Sequence, residues 1–203
     1  MSDVKVYLLP IEKVDSIGEE YFSADFKERL DRSKRFRSRE DTLRCLGVAV
    51  LLKEVLGLKE QDIKLSEHGK PYSDSTFKKF SISHSGDYVA LAVSEAEVGV
   101  DIEKNDVRHF SVAERVFAPL EQEFIHDDIK NRFFIIWTLK ESASKLNGLG
   151  ISMDYASFSV MPMINGKPIA YKGDVIFGKY ATFLDYTLAV CSGEEINLEI
   201  IKM

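Results

Sequence analysis

The spacing of apolar and polar positions changes several times along this chain, and each change marks an element. Val4-Lys-Val-Tyr-Leu-Leu opens as a strand. Residues 19–30 read as helical, and a longer helix is predicted from about Ser33 to Leu56, closed by Gly57. Its Leu43, Leu46, Val50 and Leu52 to Leu56 recur at helical spacing, and a glycine just past the last apolar turn is a common stop. Asp62-Ile-Lys-Leu is a short strand, and Gly69-Lys-Pro-Tyr is turn chemistry. Phe80-Ser-Ile-Ser, Tyr88 to Ser94 and Val98 to Glu103 follow as extended runs, the first two forming a hairpin about Gly86-Asp87. Residues 110–146 return to helical spacing, with Pro119 suited to a first turn and Phe133 to Leu146 as the main helix. From Ser157 onward strands are predicted again: Phe158-Ser-Val-Met, Asp174 to Phe177, Tyr186 to Ser192 and Asn197 to Lys202. The segments Asp87-Tyr-Val-Ala-Leu-Ala-Val-Ser and Asp185-Tyr-Thr-Leu-Ala-Val-Cys-Ser resemble each other. They hint at a duplicated α+β unit divided near residue 100.

Composition narrows the class. In 203 residues, 45% are apolar and 30% charged, an ordinary globular balance that can bury a core without staples. The acidic clusters can therefore be read as chemistry. Cys45 and Cys191 lie in apolar runs outside any metal-binding spacing, so reduced buried thiols are expected. The start lacks a charged segment followed by an apolar one, and no apolar run approaches the ~20 residues of a membrane helix. A cytoplasmic protein without membrane contact is expected. The net charge of −6 argues against nucleic acid as a partner. Residues 27–44 are nevertheless basic, which fits a local anionic ligand or an acidic partner.

Four motifs carry candidate chemistry. In Val98-Gly-Val-Asp-Ile-Glu-Lys, read as a strand, Asp101 and Glu103 share a face. Neighbouring carboxylates repel unless a positive charge stands between them, and a hard divalent cation suits oxygen ligands. A solvated acidic strand end is the commoner meaning of such a pair. In Trp137-Thr-Leu-Lys-Glu-Ser-Ala-Ser-Lys, Glu141 and Lys145 share a helical face while Lys140 points elsewhere. If Glu141 faces the strand pair it is a third ligand, with Lys145 in reach of a phosphate. An ordinary surface ion pair is the plain alternative. In Phe80-Ser-Ile-Ser-His-Ser, Ser83 and His84 can bind phosphate, though a satisfied turn histidine is commoner. Arg29 and Arg32, three apart on one helical face, with Arg44 and the Lys70 of Gly-Lys-Pro, could wall an anion site or be solvated charge. No Walker loop, dinucleotide fingerprint, zinc motif or EF-hand is present.

Together and in this order, from Lys34-Arg-Phe through Gly-Lys-Pro-Tyr, Ser-Ile-Ser-His-Ser and Val-Gly-Val-Asp-Ile-Glu-Lys to Trp-Thr-Leu-Lys-Glu-Ser-Ala-Ser-Lys, these motifs resemble the 4'-phosphopantetheinyl transferases of the surfactin-synthetase-activating (Sfp-like) type. The resemblance covers most of the chain and outweighs the plainer readings of single motifs. It implies an α+β pseudo-dimer of two similar halves, 1–100 and 101–203, with the active site at their interface. It implies transfer of the phosphopantetheine arm of coenzyme A to a serine of an apo acyl or peptidyl carrier protein, releasing adenosine 3',5'-bisphosphate. By position, Asp101, Glu103 and Glu141 match ligands for Mg²⁺ or Mn²⁺, and Lys145 matches a lysine near the reacting phosphates. Lys70, Ser83, His84 and Arg44 match coenzyme A contacts, and Arg29 and Arg32 fall where the family has basic ones. Glu141, directly or through a metal-bound water, is the candidate base. Lys145 either protonates the leaving phosphate or stabilises it. The segment Asn105 to Lys130, with Phe110, Val116, Phe117 and Phe124, is where a carrier could dock, although core packing is favoured for Phe117 and Phe124. A monomer is expected. A binding protein without turnover and a metal-dependent phosphohydrolase remain the rival readings.

Overall fold

The computed structural model describes residues 1–148, 150 and 153–203, with the backbone alone for 107–109. The chain runs β1 (Ser2–Pro10), α1 (Ile11–Val14), α2 (Glu19–Asp25), α3 (Lys27–Ser33), α4 (Arg39–Leu56), β2 (Lys64–Leu65), β3 (Pro71–Tyr72), β4 (Lys79–Ser85), β5 (Tyr88–Ser94) and β6 (Val98–Lys104). It continues through α5 (Ala113–Val116), α6 (Pro119–His126), α7 (Ile129–Asn147), α8 (Met161–Ile164), β7 (Ile169–Tyr171), β8 (Asp174–Phe183), β9 (Tyr186–Ser192) and β10 (Ile196–Lys202).

Two four-stranded sheets form, ordered β10-β1-β5-β4 and β6-β9-β8-β7. The look-alike segments supply β5 and β9, each an interior strand of its sheet. Period-two alternation sorts the side chains into layers. Val4, Val6, Leu8, Ala90 and Ala92 meet Val98, Val100, Ile102, Leu188 and Val190 between the two sheets. On the outer face of the first sheet Leu9, Val89 and Leu91 pack under Val48, Leu51 and Leu52 of α4. On the outer face of the second, Ala189 and Cys191 pack under Leu139, Ala143 and Leu146 of α7. The mixed α+β architecture is thus helix, sheet, sheet, helix. The last strand crosses back, β10 lying parallel to β1 with Leu198 opposite Val4. Among the described residues no helix is long and apolar enough to cross a membrane.

The two sheets touch where β4 runs beside β6, each an edge of its own sheet. Side chains make this joint. The alternation in Ser-Ile-Ser-His-Ser turns three hydroxyls to one side of β4. Ser81, Ser83 and Ser85 Oγ accept the N–H of Val100 (3.1 Å), Ile102 (3.3 Å) and Lys104 (3.0 Å) in turn.

Several sequence expectations need correction. Residues 19–30 do not form one helix. Phe26, fully buried, leaves helical geometry at φ −138° and divides α2 from α3. The long helix begins at Arg39, not near Ser33, because Ser38 Oγ caps it by accepting the Asp41 N–H at 3.2 Å. Asp62 to Leu65 is a strand only over Lys64–Leu65, preceded by a 3-10 turn at Glu60–Asp62. Phe158-Ser-Val-Met is not a strand. The carbonyls of Tyr155 and Phe158 both accept from Lys140 Nζ at 2.6 Å, so they are taken from any ladder, and Met161 opens α8. Asp174 begins a strand that runs on to Phe183, and Ile169–Tyr171 is an additional short one.

Candidate active site

The strand β6 places its side chains by parity. Val98, Val100 and Ile102 enter the core between the sheets. Gly99, Asp101 and Glu103 face α7. At Gly99 a Cβ would overlap the Ser142 carbonyl oxygen and come within 2.5 Å of the Leu146 nitrogen, so only glycine allows this approach of strand to helix. The helix then brings Glu141 and Lys145, one turn apart, against the carboxylates of β6. All four side chains line one cleft of about 470 Å³, together with Arg29, Ser83 and His84 and an apolar wall that includes Val48, Ile63, Leu65 and Ile82.

Asp101 is 3% exposed. Its Oδ1 accepts from Ser83 Oγ at 2.8 Å and from Lys145 Nζ at 2.6 Å, and Lys145 also donates to Ser83 at 2.9 Å. Its Oδ2 is buried with no hydrogen-bond partner. Glu103 Oε2 accepts from Ser85 Oγ at 2.8 Å. Burial, then the charge of Asp101, pushes the Glu103 carboxyl up to about 7. Burial and the same aspartate also raise Glu141. Three carboxylates thus share one ammonium, which leaves the site short of positive charge.

Among the described residues no group of three His, Cys, Asp or Glu side chains closes to metal-ligating distance. The carboxylates face a shared cleft, with the Lys145 ammonium against Asp101. The residues still fit a divalent cation. The orphaned Asp101 Oδ2 is an acceptor that a cation can satisfy, and hard oxygen donors are what Mg²⁺ prefers.

The basic candidates divide. Arg29 reaches the cleft and also lines an adjoining hollow of about 370 Å³ with Arg32 and Arg35. Its Nε is buried without a hydrogen-bond partner, and its Nη1 donates to the Cys45 carbonyl at 3.5 Å. Burial, then the charge of Arg32, lowers its pKa, although Glu60, which with Glu28 and Asp31 also lines the hollow, opposes the shift. His84 stands on the cleft wall, where burial followed by the charges of Arg44 and Lys145 lowers its pKa and favours the neutral ring. Arg44 is not brought to the cleft lining: it donates to the Gly86 carbonyl at 2.6 Å and to Asp41. Lys70 also turns away. Its Nζ binds Glu97 at 2.7 Å and the Leu146 carbonyl at 3.0 Å, tying the β2–β3 hairpin to the end of α7.

Sequence reasoning passed over Ser85, although the same alternation that singled out Ser83 reaches it. It also passed over Trp137 and Tyr155, which stand as hydrogen-bond partners beside Glu103 and Glu141. In the suggested docking segment, Phe117 is core and packs on Phe133 at 5.1 Å, while Phe124 lies half-buried beneath Arg132. Leu120 of α6 is exposed. Both cysteines are free and buried.

Comparison with known proteins bears on this geometry. Residues 97–191, which hold the carboxylate strand and α7, match the family described as the 4'-phosphopantetheinyl transferase superfamily. The chain is 34% identical to the 4'-phosphopantetheinyl transferase Sfp of Bacillus subtilis (strain 168), over 92% of this chain and 90% of that protein. It is 38% identical to the 4'-phosphopantetheinyl transferase ffp of Bacillus subtilis, over 87% and 85%. It is 32% identical to the 4'-phosphopantetheinyl transferase gsp of Aneurinibacillus migulanus, over 87% and 81%.

Proposed function

Because the chain belongs to the 4'-phosphopantetheinyl transferase superfamily, we propose that it transfers the phosphopantetheine arm of coenzyme A to a serine of an apo acyl or peptidyl carrier protein. Asp101, Glu103 and Glu141 would hold Mg²⁺ or Mn²⁺. The observation that carries the reading is the charge-deficient trio of carboxylates, one of them with the orphaned Asp101 Oδ2, beside Lys145 and Arg29 in one cleft.

In this reaction the carrier serine oxygen bonds to the phosphorus that bears the pantetheine arm. The bond from that phosphorus to the bridging oxygen breaks, and adenosine 3',5'-bisphosphate departs with the bridging oxygen. A bound divalent cation supplies the charge that polarises the phosphorus and offsets the negative charge of the leaving phosphate. The chain's residues do the rest. Glu141, whose basicity is raised by burial and by Asp101, takes the serine proton, directly or through water. Lys145, four residues on, places its ammonium against the departing phosphate. Arg29 and Arg32 receive the nucleotide phosphates, where the Nε of Arg29 has no hydrogen-bond partner. Neutral His84 serves as a hydrogen-bond partner more than as a charge. Arg44 acts behind it, through Gly86 and the field it adds at the imidazole. Lys70 takes part in binding only if it leaves Glu97. One chain supplies every group of the cleft, so a monomer suffices.

The test is intact-mass measurement of a panel of apo carrier proteins incubated with coenzyme A and Mg²⁺. A metal-dependent gain of one phosphopantetheine, lost in Glu141→Gln, supports the transferase. Coenzyme A binding with no gain on any carrier supports a silent binding protein. Cleavage of coenzyme A without a carrier supports a phosphohydrolase.

A further inference from the structure

The two carboxylates of β6 are held by the same device, repeated two residues apart. Ile102 N–H donates to Ser83 Oγ, which donates to Asp101 Oδ1; Lys104 N–H donates to Ser85 Oγ, which donates to Glu103 Oε2. A hydroxyl has one proton. A carboxylate oxygen can only accept, so each serine's proton goes to the carboxylate while its lone pairs take the amide that follows and, at Ser83, the Lys145 ammonium. One oxygen of each carboxylate is thereby held by its serine, leaving the second oxygen to other partners. At Asp101 that second oxygen is the buried, unpartnered one.

We infer that Ser83 and Ser85 are positioning residues that orient Asp101 and Glu103 for a divalent cation, so that the serine joint between the sheets also builds the cation site. This rests on the metal-dependent reading above. It gives Ser83 a role different from direct contact with coenzyme A, and it gives Ser85 a role that its place in the motif did not disclose.

The fold contains its own control. Ser81 accepts the Val100 amide at 3.1 Å in the same ladder, but the residue before Val100 is Gly99, which has no carboxylate to hold. Mn²⁺ binding to the full-length protein, without coenzyme A or carrier, is measured by calorimetry, with thermal unfolding alongside. Ser85→Ala should weaken Mn²⁺ binding about 10–100-fold, the usual effect of removing a group that orients a metal ligand. Ser85→Thr keeps the hydroxyl and should stay near wild type. Ser81→Ala should lower the unfolding temperature as Ser85→Ala does, yet bind Mn²⁺ as wild type does. Equal losses of affinity in Ser81→Ala and Ser85→Ala, or unchanged affinity in Ser85→Ala, would overturn the inference while leaving the transferase reading intact. A wild-type protein that binds no Mn²⁺ would instead remove the metal site, and the serine relay with it.

Discussion

Lys140 and Glu121 form an ion pair at 2.9 Å in which both side chains are 0% exposed. The ammonium also takes the carbonyls of Tyr155 and Phe158 at 2.6 Å each. The carboxylate accepts the N–H groups of Ala118 and Val160 at 2.7 Å each. Three segments, α7, the start of α6 and the stretch 155–160, thus converge on one buried charge pair, and the loop that carries Tyr155 toward Glu141 is held by it. Lys140→Met removes the cation and keeps most of the volume. It leaves a buried carboxylate without its counter-charge, which costs about 3–5 kcal/mol. Two carbonyls also lose their donor, and relaxation of the loop toward solvent should recover part of that loss. At about 2–4 °C per kcal/mol for a chain of this size, the unfolding temperature should fall by roughly 6–20 °C. Burial pulls the Lys140 pKa down even with Glu121 beside it, so the pair as a whole is not a large net stabiliser. The double variant Lys140→Met with Glu121→Gln should therefore be well short of the sum of the two single losses. Urea and thermal unfolding of the four proteins, followed by circular dichroism, close the cycle. A loss below about 1 kcal/mol in Lys140→Met, or strict additivity in the double variant, would refute the reasoning.

Three further outcomes are expected. Gly99→Ala should destabilise by about 1–3 kcal/mol and depress turnover, because the new methyl must push β6 away from the Ser142 carbonyl; unchanged unfolding and kinetics would show that the strand has room. Glu103 has a folded pKa raised to about 7 from 4.5, so its contribution to stability is present below about pH 4.5 and lost as pH rises through 7. Added Mg²⁺ should accordingly raise the unfolding temperature more at pH 8 than at pH 5.5, and an equal rise at both would contradict the site. Arg29→Ala should raise KM for coenzyme A about tenfold or more, the loss of one charge-assisted contact, with little change in unfolding temperature; a KM equal to wild type would place the nucleotide elsewhere.

The chemistry of the site was legible in the sequence because it is built on local periods. Alternation along Val98-Gly-Val-Asp-Ile-Glu-Lys put Asp101 and Glu103 on one face, and helical spacing put Glu141 beside Lys145. Both follow from backbone geometry alone, and the order of the motifs pointed to the family. Tertiary structure decided what those periods cannot encode, which is what lies across from each face. It joined β4 to β6 through three serines, and it carried β10 back beside β1. It turned Lys70 to Glu97, engaged Arg44 with Asp41 and Gly86, and sank Lys140 against Glu121 although its neighbours in the helix suggested nothing of the kind. A long charged side chain has several rotamers of similar energy, so its direction is set by whichever distant carboxylate or carbonyl folding brings within reach.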